Sequence, residues 1–163
     1  MDILVSDTSV IIDLERGQLL EAVFKLPYGF AVPETLYRNE LEVYGGAQLV
    51  ALGLKIETLS GEEVMTAILR KQERPRLSVA DVYAFALAFH RKWPLLAGDG
   101  ELRSLALKEQ LTLHGVLWLL DECEKHNAAS VTQLSAGLNA IASHPRCRLP
   151  RKEISERLTK WQA

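Results

Sequence analysis

Cysteine is scarce in this 163-residue chain: Cys123 and Cys147 stand alone, outside any CxxC spacing. That excludes a disulfide scaffold and a thiolate zinc site, and fits thiols that stay reduced. Excess charge is also missing. Nineteen Lys and Arg stand against 21 Asp and Glu, a net charge of -2. Such a balance excludes holding nucleic acid by bulk charge alone, though not by local basic patches. No apolar run approaches the ~20 residues that span a bilayer. The N-terminal stretch "MDILVSD" turns polar by residue 6, unlike a secretory leader, so a cytoplasmic chain with no membrane partner is expected. There is no G-x-x-x-x-G-K-[ST], which excludes a P-loop NTPase. Ser6, Ser9 and Ser78 sit in no G-x-S-x-G elbow, which argues against a serine hydrolase. His90, His114, His126 and His144 share no metal-ligand spacing and read as surface or core histidines. Internal repeats and low-complexity segments are absent as well.

What is present is a regular alternation of short apolar runs and amphipathic stretches. "DILVS" is a continuous apolar run suited to a buried parallel strand. Residues 8 to 25 read as helix, broken at Gly17; "GFAVP" is a second strand. "ETLYRNELEVY" reads as one helix stopped by Gly45-Gly46, and "AQLVAL" as a short one closed by Gly53. "LKIETL" alternates like a strand, and Ser60 with Glu63 forms a capping box for the helix that follows. Ser78 opens "VADVYAFALAFHRKW". "PLLAG" and "LTLH" are the fourth and fifth strands, with "GELRSLALKEQ" as a helix between them and "GVLWLLDECEKHN" as a helix after. Helices are expected near 130 to 143 and 151 to 162. The pattern predicts an α/β fold: a three-layer α/β/α arrangement around a central parallel sheet of four to five strands. It divides into a domain over residues 1–127 and a helical C-terminal extension, 128–163, packed on it.

Four acids stand out on that layout. Asp7 ends the first strand, in "ILVSDTSVIIDL", and Asp99 follows the fourth, in "LLAGDGEL". Ligand sites of open parallel sheets lie at the carboxyl ends of strands, so two acids fall independently at one edge. Each can also be read as a helix cap, because Asp, Ser and Thr are preferred there. Asp81 lies in the first turn of a helix that is apolar nearly all round, where a carboxylate needs a partner or a metal. Glu40, in the helix after the second strand, reads on its own as a solvated acid. Carboxylates converging on one cleft repel by about 4 kcal/mol per pair at ~4 Å and an effective dielectric of 20. No buried Lys or Arg at matching positions is evident to neutralise them. A divalent cation is the economical neutraliser, and all-oxygen ligands select Mg²⁺ or Mn²⁺ over zinc. Such an ion activates water for in-line attack on a phosphodiester. A strand-end Asp phospho-acceptor would call for Asp-x-Asp, and the third residue here is Ser9.

The series "VSDTSVIIDL", "VPETLYRNELE", "SVADVYAFALA" and "LLAGDGELRSLALKEQLTLHGVLWLL" resembles a PIN domain over roughly residues 2 to 125. The resemblance implies a compact metal-dependent ribonuclease, of a family that includes the VapC-like toxins of toxin–antitoxin modules. It implies Asp7, Glu40, Asp81 and Asp99 as catalytic, metal-binding acids, with Glu101 as a further metal candidate. Thr8 or Ser9 would contact a ligand water or phosphate. In the family pattern the second acid follows Val-Pro one residue sooner, where this chain has Asn39, so either Asn39 or Glu40 fills that position. The implied cofactor is Mg²⁺ or Mn²⁺. The implied partners are an RNA substrate, an antitoxin protein and a second copy of the chain in a homodimer. The alternative function is a PIN-fold RNA- or protein-binding module with little or no catalysis.

Two basic clusters, Arg70, Lys71, Arg74 and Arg76, and Arg146, Arg148, Arg151 and Lys152, read equally as solvated surface or as grips on RNA phosphates. Trp93, Trp118 and Trp161 read as core packing. In the last helix Ile154, Leu158 and Trp161 form one apolar stripe that must bury against its own domain or a partner subunit.

Overall fold

The computed structural model describes residues 1–163. Five strands, β1 (Asp2–Ser6), β2 (Tyr28–Pro33), β3 (Lys55–Glu57), β4 (Leu95–Leu96) and β5 (Leu113–His114), form one parallel sheet in the order β3-β2-β1-β4-β5. Val5 pairs with Ala31 on one side of β1 and with Leu95 on the other. Leu4, Val5, Ala31, Val32, Leu95 and Leu96 are all buried, because a central parallel strand is covered on both faces. The chain winds from β1 to β2 and β3, then crosses to β4 and β5. The order therefore reverses between β1 and β4, which opens a crevice at their carboxyl ends.

Helices cover both faces, giving three layers. On one side lie α3 (Glu34–Leu36), α5 (Gly61–Glu73), α6 (Val79–Arg91) and α7 (Gly100–Lys108), packed around α6. Ala80, Ala84, Ala86 and Ala88 are buried on α6, and these small side chains let it lie against β1, β2 and β4. On the other side lie α1 (Thr8–Arg16), α2 (Leu20–Phe24), α8 (Val116–Lys125) and α9 (Val131–Ala142), with α10 (Arg151–Gln162) packed on α9. The short α4 (Gly46–Leu52) precedes β3. The expected break falls at Gly17, and the capping box at Ser60 is made: Glu63 N donates to Ser60 Oγ, and Ser60 N to Glu63 Oε1.

One element differs from its expectation. Residues 34 to 44 do not form a single α-helix: α3 runs into a π-helical turn over Tyr37–Leu41 and then a 3₁₀ turn over Glu42–Tyr44. The amide of Glu42 reaches back to the carbonyl of Tyr37, five residues earlier. A π turn accommodates one residue more than an α turn, and such turns are frequent at functional sites.

The last helices share the core of the rest. A Cβ on Gly137 would lie 2.5 Å from Leu19 Cδ1 and 2.8 Å from the carbonyl oxygen of Gly17, so α9 meets the α1–α2 turn at a distance only glycine permits. Ile154 and Trp161 are buried, and Leu158 packs against the same cluster: this chain covers its own apolar stripe. No helix is long and apolar enough to cross a membrane.

Candidate functional site

Three helices begin at the crevice, and three of the four acids hold their first turns. Asp7 caps α1 by accepting the Val10 amide at 2.9 Å. Asp99 caps α7, its Oδ2 accepting from Leu102 N at 2.9 Å. Asp81 closes a capping box on α6: its amide donates to Ser78 Oγ, and its carboxylate accepts from Ser78 N at 3.3 Å. At α1 and α7 the cap and the acid are the same residue; at α6 Ser78 is the cap and Asp81 completes the box. Acids are favoured at helix starts, and the topology brings these starts together.

Asp7 is the deepest of them, 1% exposed. Its Oδ2 accepts from Ser9 Oγ and from the Gly98 amide, both at 2.9 Å, which ties the end of β1 to the loop after β4 across 91 positions of sequence. A Cβ on Gly98 would stand 2.6 Å from Ser9 Oγ, so this approach excludes a side chain there. Burial pushes the Asp7 carboxyl from 3.8 up to about 6; the bonds from Val10, Gly98 and Ser9 oppose the rise and the charge of Asp81 adds to it.

That shift fixes a pH dependence. The folded protein holds the Asp7 proton more tightly than the unfolded chain does. Its contribution to stability is therefore full below pH 3.8 and is lost as pH rises through about 6. In EDTA, the Asp7 contribution is expected to fall between about pH 4 and pH 7 by up to about 3 kcal/mol. Added Mg²⁺ or Mn²⁺ at pH 7 is expected to recover it, because an ion that binds only the native state stabilises that state. Scanning calorimetry across this range measures both effects. A metal-free protein whose stability rises throughout, with no response to either ion, would sink the expectation.

Around Asp7 the other acids interact in turn. Burial raises the Asp81 carboxyl, hydrogen bonds from Ser78 oppose this, and the charges of Asp99 and Glu40 raise it further. Glu40 leaves the π turn half-buried and accepts a hydrogen bond from Thr8 Oγ1, next to Asp7, whereas Asn39 points to solvent. The π turn sets Glu40 toward Thr8. Glu101 is not brought in: it pairs with Arg74 at 3.1 Å and is no part of the cavity lining.

Thr8, Ser9, Glu40, Ser78, Asp81 and Asp99 line a cavity of about 320 Å³, joined by Asp13, Arg16, Arg146 and Arg148; Asp7, buried and bonded to Ser9 and Gly98 of that lining, is not itself part of it. No buried Lys or Arg lies among the acids; the arginines at the cavity are exposed or half-buried. Arg148 stands 3.6 Å from Asp99 Oδ1, and with Arg146 it comes from the segment between α9 and α10. The extension thus forms one wall of the site. Asp13 was not evident from the sequence as a site residue, because it reads as the polar face of α1. The first basic cluster is otherwise engaged: Arg70 pairs with Glu73 and Glu109, Arg74 with Glu101, and Lys71 donates to the carbonyls of Pro75 and Leu77.

The donor set consists of carboxylates and hydroxyls, the chemistry of hard divalent ions. As the side chains stand, no three acids are gathered closely enough to hold an ion. Asp99 spends Oδ2 on its helix cap, and its Oδ1 faces Arg148. Burial and the mutual charge of the acids raise the carboxyls of Asp7 and Asp81.

Comparison with known proteins agrees with this architecture. A family model described as a PIN domain matches residues 3–163. The match includes the helical extension as well as the strands. Among solved structures, the chain is similar to a PilT N-terminus domain protein from the hyperthermophilic archaeon Sulfolobus solfataricus P2. The TM-score is 0.53 and the identity 14%, over 76% of this chain and 93% of that one. At that identity the likeness speaks for the fold. No curated protein matches.

Proposed function

The chain belongs to the PIN domain family, whose members are generally nucleases, and from that premise we propose that it is a divalent-metal-dependent endoribonuclease. The observation that supports the reading is that Glu40, Asp81 and Asp99 line one cavity and that the charges of Asp99 and Glu40 act on Asp81, and that of Asp81 on Asp7. Asp7, Asp81, Asp99 and Glu40 are the residues that would hold Mg²⁺ or Mn²⁺. When bound, the ion supplies Lewis-acid stabilisation of charge on the attacked phosphate and a more acidic attacking water. Thr8 fixes the Glu40 carboxylate through its hydroxyl, and Ser9 and Gly98 fix that of Asp7. Arg148, once off Asp99, is the cation within reach of a phosphate.

A second reading, a PIN-fold binding module with little catalysis, draws on the guanidinium already seated beside Asp99. The two separate in one experiment. Purified protein with Mn²⁺ or Mg²⁺ is expected to cut single-stranded RNA, and EDTA to stop it. No cutting with metal, or cutting unchanged by EDTA, removes the enzyme reading and leaves the module. A toxin role belongs to the same proposal and rests on the resemblance. Its test is growth arrest on expression, relieved by the product of an adjacent reading frame.

A further inference from the structure

A second cavity, of about 560 Å³, adjoins the acidic one between the starts of α7, α8 and α10. The two share Gly98, Arg148 and Leu149, so a chain leaving the acids passes Arg148 to enter it. Its lining includes His114 at the end of β5 and Trp118 on α8, whose rings stack with centroids 3.8 Å apart and planes within 9°. Tyr28 also packs on Trp118, at 5.7 Å, but of Tyr28 and His114 only His114 lines the cavity. Burial holds the His114 pKa below its ordinary 6.5, so the ring is neutral at pH 7. The two rings spend one face each on the other and Tyr28 packs on Trp118, so the flat, neutral His114 ring supplies the stacking face, with Trp118 behind it.

The charges around it have distinct duties. Arg103 donates to the carbonyl of Ala97 at 2.6 Å, and Arg157 makes a two-pronged pair with Asp121 at 2.9 and 2.7 Å. Glu153, the other acid of the lining, is exposed. Arg148 alone is held only by a 3.6 Å approach, with its side chain 76% exposed, at the boundary of the two cavities. The second cavity thus has three arginines to two acids, and the first four acids to three arginines.

We propose that this cavity takes a nucleobase of single-stranded RNA, stacked on the His114–Trp118 pair, with Arg148 holding a phosphate between that base and the acids. The proposal rests on the nuclease reading and adds a subsite to it. Stacking on aromatic rings tolerates every base, because each has a π face, and it requires an unpaired base. The subsite therefore predicts a preference for single strands without a preference for sequence.

The test reads binding by a protein that does not cut. The Asp99→Asn variant, in Mg²⁺, is titrated with a short oligoribonucleotide while tryptophan fluorescence is followed. Quenching is expected, and Trp118→Phe in the same background is expected to remove it, since Trp161 is buried and Trp93 lies outside the cavity. His114→Ala is expected to weaken binding on the order of tenfold, and one abasic position in the oligonucleotide to do the same. Arg148→Ala is expected to lower the slope of affinity against salt by about one. Quenching that persists in Trp118→Phe overturns the proposal. So does equal affinity for the intact and every singly abasic oligonucleotide. If His114→Ala does not fold by circular dichroism, the Trp118→Phe and abasic arms decide. Failure of the nuclease reading shows separately, as wild-type protein that cuts no RNA.

Discussion

Replacing Asp99 by Asn is expected to slow RNA cleavage on the order of 100-fold or more while leaving the metal-free thermal midpoint unchanged or raised. The amide oxygen of Asn can still accept from Leu102 N, so α7 keeps its cap. Removing this charge relieves the carboxyl of Asp81, which the Asp99 charge raises. Asp7→Asn is expected to differ. Both Asp7 oxygens accept, from Val10 N on one and from Ser9 Oγ and Gly98 N on the other. An Asn there turns an NH₂ group toward a buried amide, which costs about 1–3 kcal/mol for the unmet donor. That loss offsets the benefit of removing a buried charge. Cleavage rates and melting curves for the two variants together separate the chemistry of the site from its folding. Asp99→Asn protein that cuts at nearly the wild-type rate would rule out its role.

Ending the chain at residue 150 is expected to abolish the cooperative melt. The deletion removes α10, and with it Ile154 and Trp161, 7% and 4% exposed. Burying side chains of this kind stabilises by about 1.5–3 kcal/mol each. The cut also uncovers the face of α9 on which α10 packs. The Arg157–Asp121 pair and the bond from Gln162 to Ser135 go too. Together these losses approach the whole stability of a domain, about 5–15 kcal/mol. They also free the segment that carries Arg146 and Arg148 to the acids. Circular dichroism and calorimetry of the truncated chain make the measurement. A chain that melts cooperatively and falls from dimer to monomer by light scattering would instead make α10 an interface between subunits.

The sequence by itself determined the fold class, the order of strands and helices, and the places of Asp7, Asp81 and Asp99. The reason is local. Apolar runs of "DILVS" and "PLLAG" type specify buried parallel strands, and Ser60, Ser78 and the aspartates themselves mark helix starts. Strand ends and helix starts meet at one edge of such a sheet, so acids found there could be placed before any contact was known. Tertiary structure decided what depends on partners distant in the chain. Glu40 rather than Asn39 turns inward because of a π turn whose acid meets Thr8, 32 positions away. Glu101 is drawn off to Arg74, and Arg148 reaches Asp99 from a segment with no motif of its own. Of the first basic cluster, Arg70 and Arg74 are held by acids and Lys71 by carbonyls, while Arg146 and Arg148 of the second reach the site. Local period and capping preference are written in neighbouring residues. The pairing of long, flexible charged side chains is set only when packing brings their backbones within reach.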